Sequence, residues 1–258
     1  MDDARALQTS LDVLFQWSLD WELPINFLKC SVLTIAASEP FIPYQIGHHP
    51  LSVVTQMCDL GTIISSDFKS APDTSKKAAS ASRLLAMIKR SFSKMSADVF
   101  KTLFTSHVRP VLEYGQPATY PVTKGESDSL ERVQRRGTKW VTGLRSVPYD
   151  LRLKQLNLFP LSYRRRRADL IYTRRVLRGE FSDLKIFLKF NRDGPTRGHS
   201  WKLFKPRRSR LRPTNTLSTR VINDWNRLPA EVVDAPTEAS FKYLLDKHLL
   251  RNTDLDAV

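Results

Sequence analysis

Ser106-His-Val-Arg-Pro-Val-Leu-Glu-Tyr-Gly-Gln-Pro117, running on toward Leu130-Glu-Arg-Val-Gln-Arg-Arg-Gly-Thr-Lys-Trp140, decides how this chain divides. Before it, a helix is followed by short β-branched runs; within and after it, apolar residues recur mainly at helical spacing. Pro110 marks a turn joining two helical patterns, and the second part sets a basic rim beside an apolar stripe.

Working outward toward the N-terminus, Ala97 to Phe104 follows Ser96 as a capped helix, and Asp73-Thr-Ser opens an earlier one through Ala78, Ala81, Leu84, Leu85 and Ile88. Short loops between such helices predict antiparallel neighbours in a bundle. Further back the period changes. Cys30 to Ile35, Phe41 to Ile46, Leu51 to Met57 and Leu60 to Ile64 read as strands, with Gly47-His-His-Pro50 as a turn cluster and Gly61 allowing close approach of another backbone. Ala4 to Asp20 forms an amphipathic helix ending before Pro24. Asp2-Asp3 stand at its start, where carboxylates complement the helix dipole.

Working toward the C-terminus, Ser127 opens a helix through Val141, Tyr149 to Leu156 makes a short one, and Ser162 to Gly179 a longer one. Asn191 to Pro213 is rich in Gly, Pro and Arg and reads as a linker or as a loop ordered only by its ligand. Two helices follow, near Thr216 to Arg227 and Thr237 to Leu250. The expected class is α+β: a small antiparallel sheet with a helix (1–66), a mainly helical bundle (67–190), a basic linker (191–214) and a short helical tail (215–258).

The chain carries a formal charge of +15, and that charge is unevenly placed. Residues 132–220 hold 25 Lys+Arg against 5 Asp+Glu, or +20, and the remainder holds 16 against 21, or −5. Such a balance calls for a polyanionic partner. No apolar run approaches the ~20 residues that span a bilayer, so nucleic acid is expected rather than membrane, in the nucleus or cytoplasm. Cys30 and Cys58 fit a reduced compartment.

On a helical wheel at ~100° per residue, Arg164, Arg167, Arg174, Arg175 and Arg178 share about a third of the circumference, which predicts phosphate contact. Arg135, Arg136 and Lys139 form a second basic group, with Trp140 placed either to stack on a base or to pack in the core. Glu113-Tyr114 reads as a helix junction held by a buried hydrogen bond or ion pair. Cys30, Cys58, His48 and His49 match no zinc spacing, His107, His199 and His248 are isolated, and there is no phosphate-binding loop or dinucleotide fingerprint.

Several words in order carry a resemblance. Leu7-Gln8, Leu11-Asp12, Trp17-Ser18, Trp21, Leu23, Asn26, Lys29-Cys30 and Val32-Leu33 come first, then Leu60-Gly61 and Val108 to Tyr114. Leu130-Glu131-x-x-Gln134-Arg135-Arg136, Tyr149 to Leu153, Arg164 to Asp169 and Trp225-Asn-x-Leu-Pro229 complete the series. Together they resemble the region downstream of the active site in reverse transcriptases of non-LTR, LINE- or jockey-like retrotransposons, across nearly the whole chain.

The resemblance implies a palm end, a thumb holding a template–primer duplex of RNA or RNA/DNA, and a tail. It implies that Lys29 matches a palm lysine helping to protonate pyrophosphate, and that Leu60 and Gly61 match the primer-grip strand. The family's metal-binding aspartates are expected upstream of Met1, so Mg²⁺ is implied only for an intact parent polymerase and no cofactor or metal for this chain. The expectation is a truncated fragment that binds nucleic acid without nucleotide addition by itself, with the missing N-terminal part of the polymerase as a further partner. The alternative is a non-enzymatic RNA- or DNA-binding module.

Overall fold

Mixed helix and strand is what the chain forms, in two compact units, residues 1–72 and 73–258. The computed structural model describes residues 2–35, 43–181, 188–190, 198–205 and 216–252. By sequence the two units are opposite in charge: 3 Lys+Arg against 8 Asp+Glu in the first gives −5, and 38 against 18 in the second gives +20.

The first unit opens with α1 (Asp2–Asp20), followed by a short 3-10 turn (Phe27–Lys29). Among the described residues six strands follow: β1 (Ser31–Leu33), β2 (Gln45–Ile46), β3 (His49–Pro50), β4 (Ser52–Val54), β5 (Gln56–Asp59) and β6 (Thr62–Ser65). Among these residues they pair in twos. β1 runs parallel to β4, whereas β2–β3 and β5–β6 are antiparallel hairpins. This corrects the single antiparallel sheet that was expected. The Leu51 to Met57 run is broken at Thr55, and β3 takes the His49-Pro50 half of the anticipated turn. The strand expected from Phe41 survives as β2; its first two residues lie outside the described ones.

The Gln8 side chain behaves as an extra strand for β2, donating from Nε2 to the Gln45 carbonyl (3.0 Å) and accepting from its amide (3.1 Å). Phe27 stacks on His49 with ring centroids 4.0 Å apart. Ile46 is the only fully buried apolar side chain among the described residues of this unit, while Leu7, Leu14 and Trp17 of α1 and Trp21 just beyond it stand exposed.

The second unit begins in α2 (Ala71–Ser91) and continues through α3 (Ala97–Leu103), α4 (Arg109–Glu113), α5 (Lys124–Thr138), α6 (Tyr149–Leu156) and α7 (Leu161–Leu177). α8 (Leu217–Asn226), α9 (Ala230–Val233) and α10 (Glu238–Asn252) close it. Pro110 does not make the expected turn. Phe104–Val108 forms a π-helical segment joining α3 to α4, with Pro110 in the first turn of α4, where a missing N–H is tolerated. The chain turns at Gly115 instead (φ +59°). α5 starts earlier than Ser127, because Thr123 and Glu126 form a reciprocal capping box.

Two apolar cores result. Leu85, Phe100, Phe104 and Val108 pack with Leu130, Val133, Leu153 and Leu161 in the first. The second gathers Leu170, Val176, Leu177, Val221, Trp225, Phe241, Leu245 and Leu249. The C-terminal helices therefore share a core with α7 rather than forming a separate tail. Part of the expected linker belongs to that core as well: Leu203 is buried, its amide donates to Asn226 Oδ1 and its carbonyl accepts from Asn226 Nδ2 (both 2.8 Å). Residues 191–197 and 206–214 of that linker lie outside the described ones. Among the described residues no helix is long and apolar enough to cross a membrane.

Candidate nucleic-acid interface

α7 lies where the two cores meet, and its arginines radiate to its neighbours. Arg164 is paired bidentately with Glu113 of α4, Arg166 with Asp224 of α8 and Arg167 with Asp246 of α10. Arg175 contacts Glu180 (2.7 Å) and Glu238 (3.3 Å). Arg174 is buried and donates to the Ala235 carbonyl (2.9 Å); Arg178 lies over the Trp201 ring at 4.8 Å. The clustering of Arg164, Arg167, Arg174, Arg175 and Arg178 predicts phosphate contact, yet carboxylates and carbonyls of the chain itself already accept from these side chains. Burial lowers the pKa of Arg174, whereas hydrogen bonding to Asp246 raises that of Arg167.

The Glu131-x-x-Gln134 motif is interior. Glu131 is buried and accepts from the Tyr149 hydroxyl and from the Leu161 amide (2.9 Å); Gln134 Nε2 donates to the Tyr149 oxygen and to the Phe159 carbonyl, both at 3.0 Å. Burial pushes the Glu131 carboxyl above its ordinary range and, with the nearby carboxylate, pushes the Tyr149 phenol far up. Arg152, buried below, donates to the Arg135 carbonyl (2.8 Å) and Thr138 Oγ1 (2.7 Å), closing the C-terminal end of α5. These residues fix how α5, α6 and α7 meet, and they hold the last turn of α5 rigid.

That last turn presents Arg135, Arg136 and Lys139 to solvent. Arg135 lies over the Tyr149 ring (4.8 Å), Arg136 donates to Ser82 Oγ (2.8 Å), and Lys139 projects freely from the helix end. The end of α2 converges on the same place because Gly137 lets it approach: a Cβ there would lie 3.1 Å from Leu85 Cδ1 and from Phe100 Cε2. A cleft opens between the helix ends, lined by Lys89, Phe92, Arg136, Lys139, Trp140 and Arg145 among others, with no acidic side chain in its walls. Lys89 Nζ sits 4.9 Å from the centre of the Trp140 ring. Among the described residues, Lys89, Arg136, Lys139 and Arg145 have no carboxylate partner. Sequence reading found Arg136 and Lys139; it missed Lys89, Phe92 and Arg145, which lie on separate segments with no local signal.

Lys29, Leu60 and Gly61 are the residues singled out in the first unit. Lys29 is exposed at the end of the 3-10 turn, and Asp3 lies in α1 rather than on a strand. Leu60 (φ +44°) and Gly61 (φ +83°) form the two-residue turn between β5 and β6, since Asp59 pairs with Thr62. They were expected within a strand; two successive positive φ values make them the tip of a hairpin instead. Among the described residues no three His, Cys, Asp or Glu side chains converge where a metal ion could be held. No protein-family model, curated protein or solved structure matches the chain.

Proposed function

We propose that this chain is the palm end, thumb and tail of a non-LTR retrotransposon reverse transcriptase, acting as a nucleic-acid-binding element that grips a template–primer duplex. One observation carries the binding part: around the ends of α2 and α5, cations stand exposed without carboxylate partners, while Arg164, Arg166, Arg167 and Arg175 of α7 are paired with carboxylates of the chain itself. Exposed, unneutralised cations are the ones that phosphates can engage with release of counterions. The palm part of the reading rests on the sequence words alone. The exposed Leu7, Leu14 and Trp17 of α1, with Trp21 just beyond it, are in keeping with a helix that packs on further polypeptide, such as the rest of a polymerase palm.

Nucleotide addition by this chain alone is not part of the proposal. The test pairs a primer-extension assay in Mg²⁺ or Mn²⁺ with a binding titration against salt. Binding should weaken linearly on a log–log plot, and each neutralised cation at Lys139 or Arg145 should reduce the slope by about 0.7–0.9. Salt-independent or absent binding would sink the thumb assignment. Binding without any extension even after fusion to an upstream polymerase segment would favour the non-enzymatic RNA- or DNA-binding module.

A further inference from the structure

We infer that the cleft between the ends of α2 and α5 takes single-stranded nucleic acid, its phosphates held by Lys89, Arg136, Lys139 and Arg145 and an unstacked base laid against Phe92 and Trp140. This rests on the nucleic-acid reading above and sharpens it, because a duplex-gripping surface and a single-strand cleft make different demands on side chains. A duplex offers phosphates to the outside and keeps its base faces stacked within, so cations suffice to hold it. A single strand also exposes base faces, and aromatic rings beside cations are what use them.

The cleft has both parts. Phe92 is 40% exposed and stands in the wall. Trp140 is half-buried, with its body against the first core and its ring lining the cleft. The Lys89 ammonium is held over that ring, which brings a positive charge to the place where a base would stack. The floor is also fixed. Thr142 donates from both its amide (2.9 Å) and its hydroxyl (3.1 Å) to the Met95 carbonyl, tying the segment after α2 to the segment after α5. A preorganised site of this kind loses little entropy on binding. Gly143 has φ +84° and open space around it, so the backbone on that side leaves the entrance clear.

The test uses the full chain and fluorescence anisotropy with labelled oligo(dT), oligo(U), a DNA duplex and an RNA/DNA hybrid of equal length. Phe92→Leu keeps an apolar side chain and removes the ring; being exposed, it leaves the fold intact, which circular dichroism checks. Trp140→Phe, read by loss of base-induced tryptophan quenching, is the second aromatic variant. The expected result is tighter binding of single strands than of duplexes, a loss of roughly tenfold in single-strand affinity for Phe92→Leu, and unchanged duplex affinity. Lys139→Ala with Arg145→Ala weakens both. Equal or tighter duplex binding with Phe92→Leu silent overturns the single-strand inference and leaves nucleic-acid binding standing. Single-strand binding indifferent to all these variants places the site elsewhere and overturns it too. Absence of binding to every probe removes both readings together.

Discussion

Arg167 on α7 and Asp246 on α10 form a two-pronged ion pair across a sequence separation of 79, the guanidinium Nε and Nη2 each donating to one carboxylate oxygen. Tyr163 joins the same carboxylate through its hydroxyl (3.4 Å), with its phenol pushed up to about 12 by burial and by Asp246. The pair is partly exposed, so its Coulombic part is screened and its geometry matters more. It fastens α10 to α7 above the Phe241 and Leu245 core.

Replacing Arg167 with alanine is therefore expected to lower stability by about 1 kcal/mol, through the lost pair and the lost packing of its stem. Nucleic-acid affinity should change less than about twofold, because the charge is already neutralised. Chemical denaturation and anisotropy on the same variant check this. A large loss of affinity with unchanged stability would return Arg167 to the interface.

Glu131 makes the stability of the second unit pH-dependent in a known direction. Its folded pKa is raised above the ordinary 4.5 chiefly by burial, opposed in part by the hydrogen bonds from Tyr149 and Leu161. The folded state thus binds the proton more tightly than the unfolded state. The associated stabilisation is fully present below pH about 4.5 and is lost as pH rises through the higher folded value. Glu131→Gln keeps an acceptor for Tyr149 and removes the ionisation. Melting temperatures of the two proteins should diverge in favour of the variant as pH increases from 4.5 toward neutrality. A constant difference, or one of opposite sign, contradicts the assignment.

What could be read from sequence was whatever is local. α6 and α8 begin within a residue or so of their expected positions because apolar spacing and a preceding Pro148 or Thr216 specify them. The capping box at Thr123 is equally local, but Ser127 four residues on also suits a helix start and competes with it. The fate of the α7 arginines was not local. The partners of Arg164, Arg166 and Arg167 lie 51 to 79 residues away, and nothing in the Arg164 to Arg167 run says that Glu113, Asp224 and Asp246 will return to meet it. The cleft was half legible for the same reason: Arg136, Lys139 and Trp140 are one segment, whereas Lys89 and Phe92 arrive only because Gly137 lets α2 close on α5.

The β5–β6 turn provides a test of a different kind. A type I′ turn wants Asn-Gly, and this one has Leu60-Gly61, with Leu60 at φ +44° and 85% exposed. A branched side chain in the left-handed region is disfavoured by roughly 1–2 kcal/mol, and at this exposure it recovers little by packing. Leu60→Asn should slow amide exchange across the hairpin, most visibly at Met57 and Ile64, the hydrogen-bonded pair next along the ladder from Asp59 and Thr62. Unchanged or faster exchange would show that Leu60 contributes contacts that outweigh its backbone strain.

Gly137 connects stability to binding and allows the two to be separated. A side chain at this position meets Leu85 and Phe100 within 3.1 to 3.2 Å, in the tightest part of the first core, and neither neighbour is the flexible end of an exposed chain. Gly137→Val should cost about 1–3 kcal/mol by overpacking. Whatever relief is found must come from moving α2 away from α5, which carries Lys89 and Phe92 away from Lys139 and Trp140. Single-strand affinity should then fall in the folded variant at temperatures well below its melting point. Trp140 emission should shift to the red as Lys89 and the core beside it withdraw from the ring. Gly137→Ala, with one methyl to accommodate, should show the same changes in smaller degree. A valine variant that loses stability while binding and emission stay as they were would mean that the helix ends hold their spacing independently of this contact.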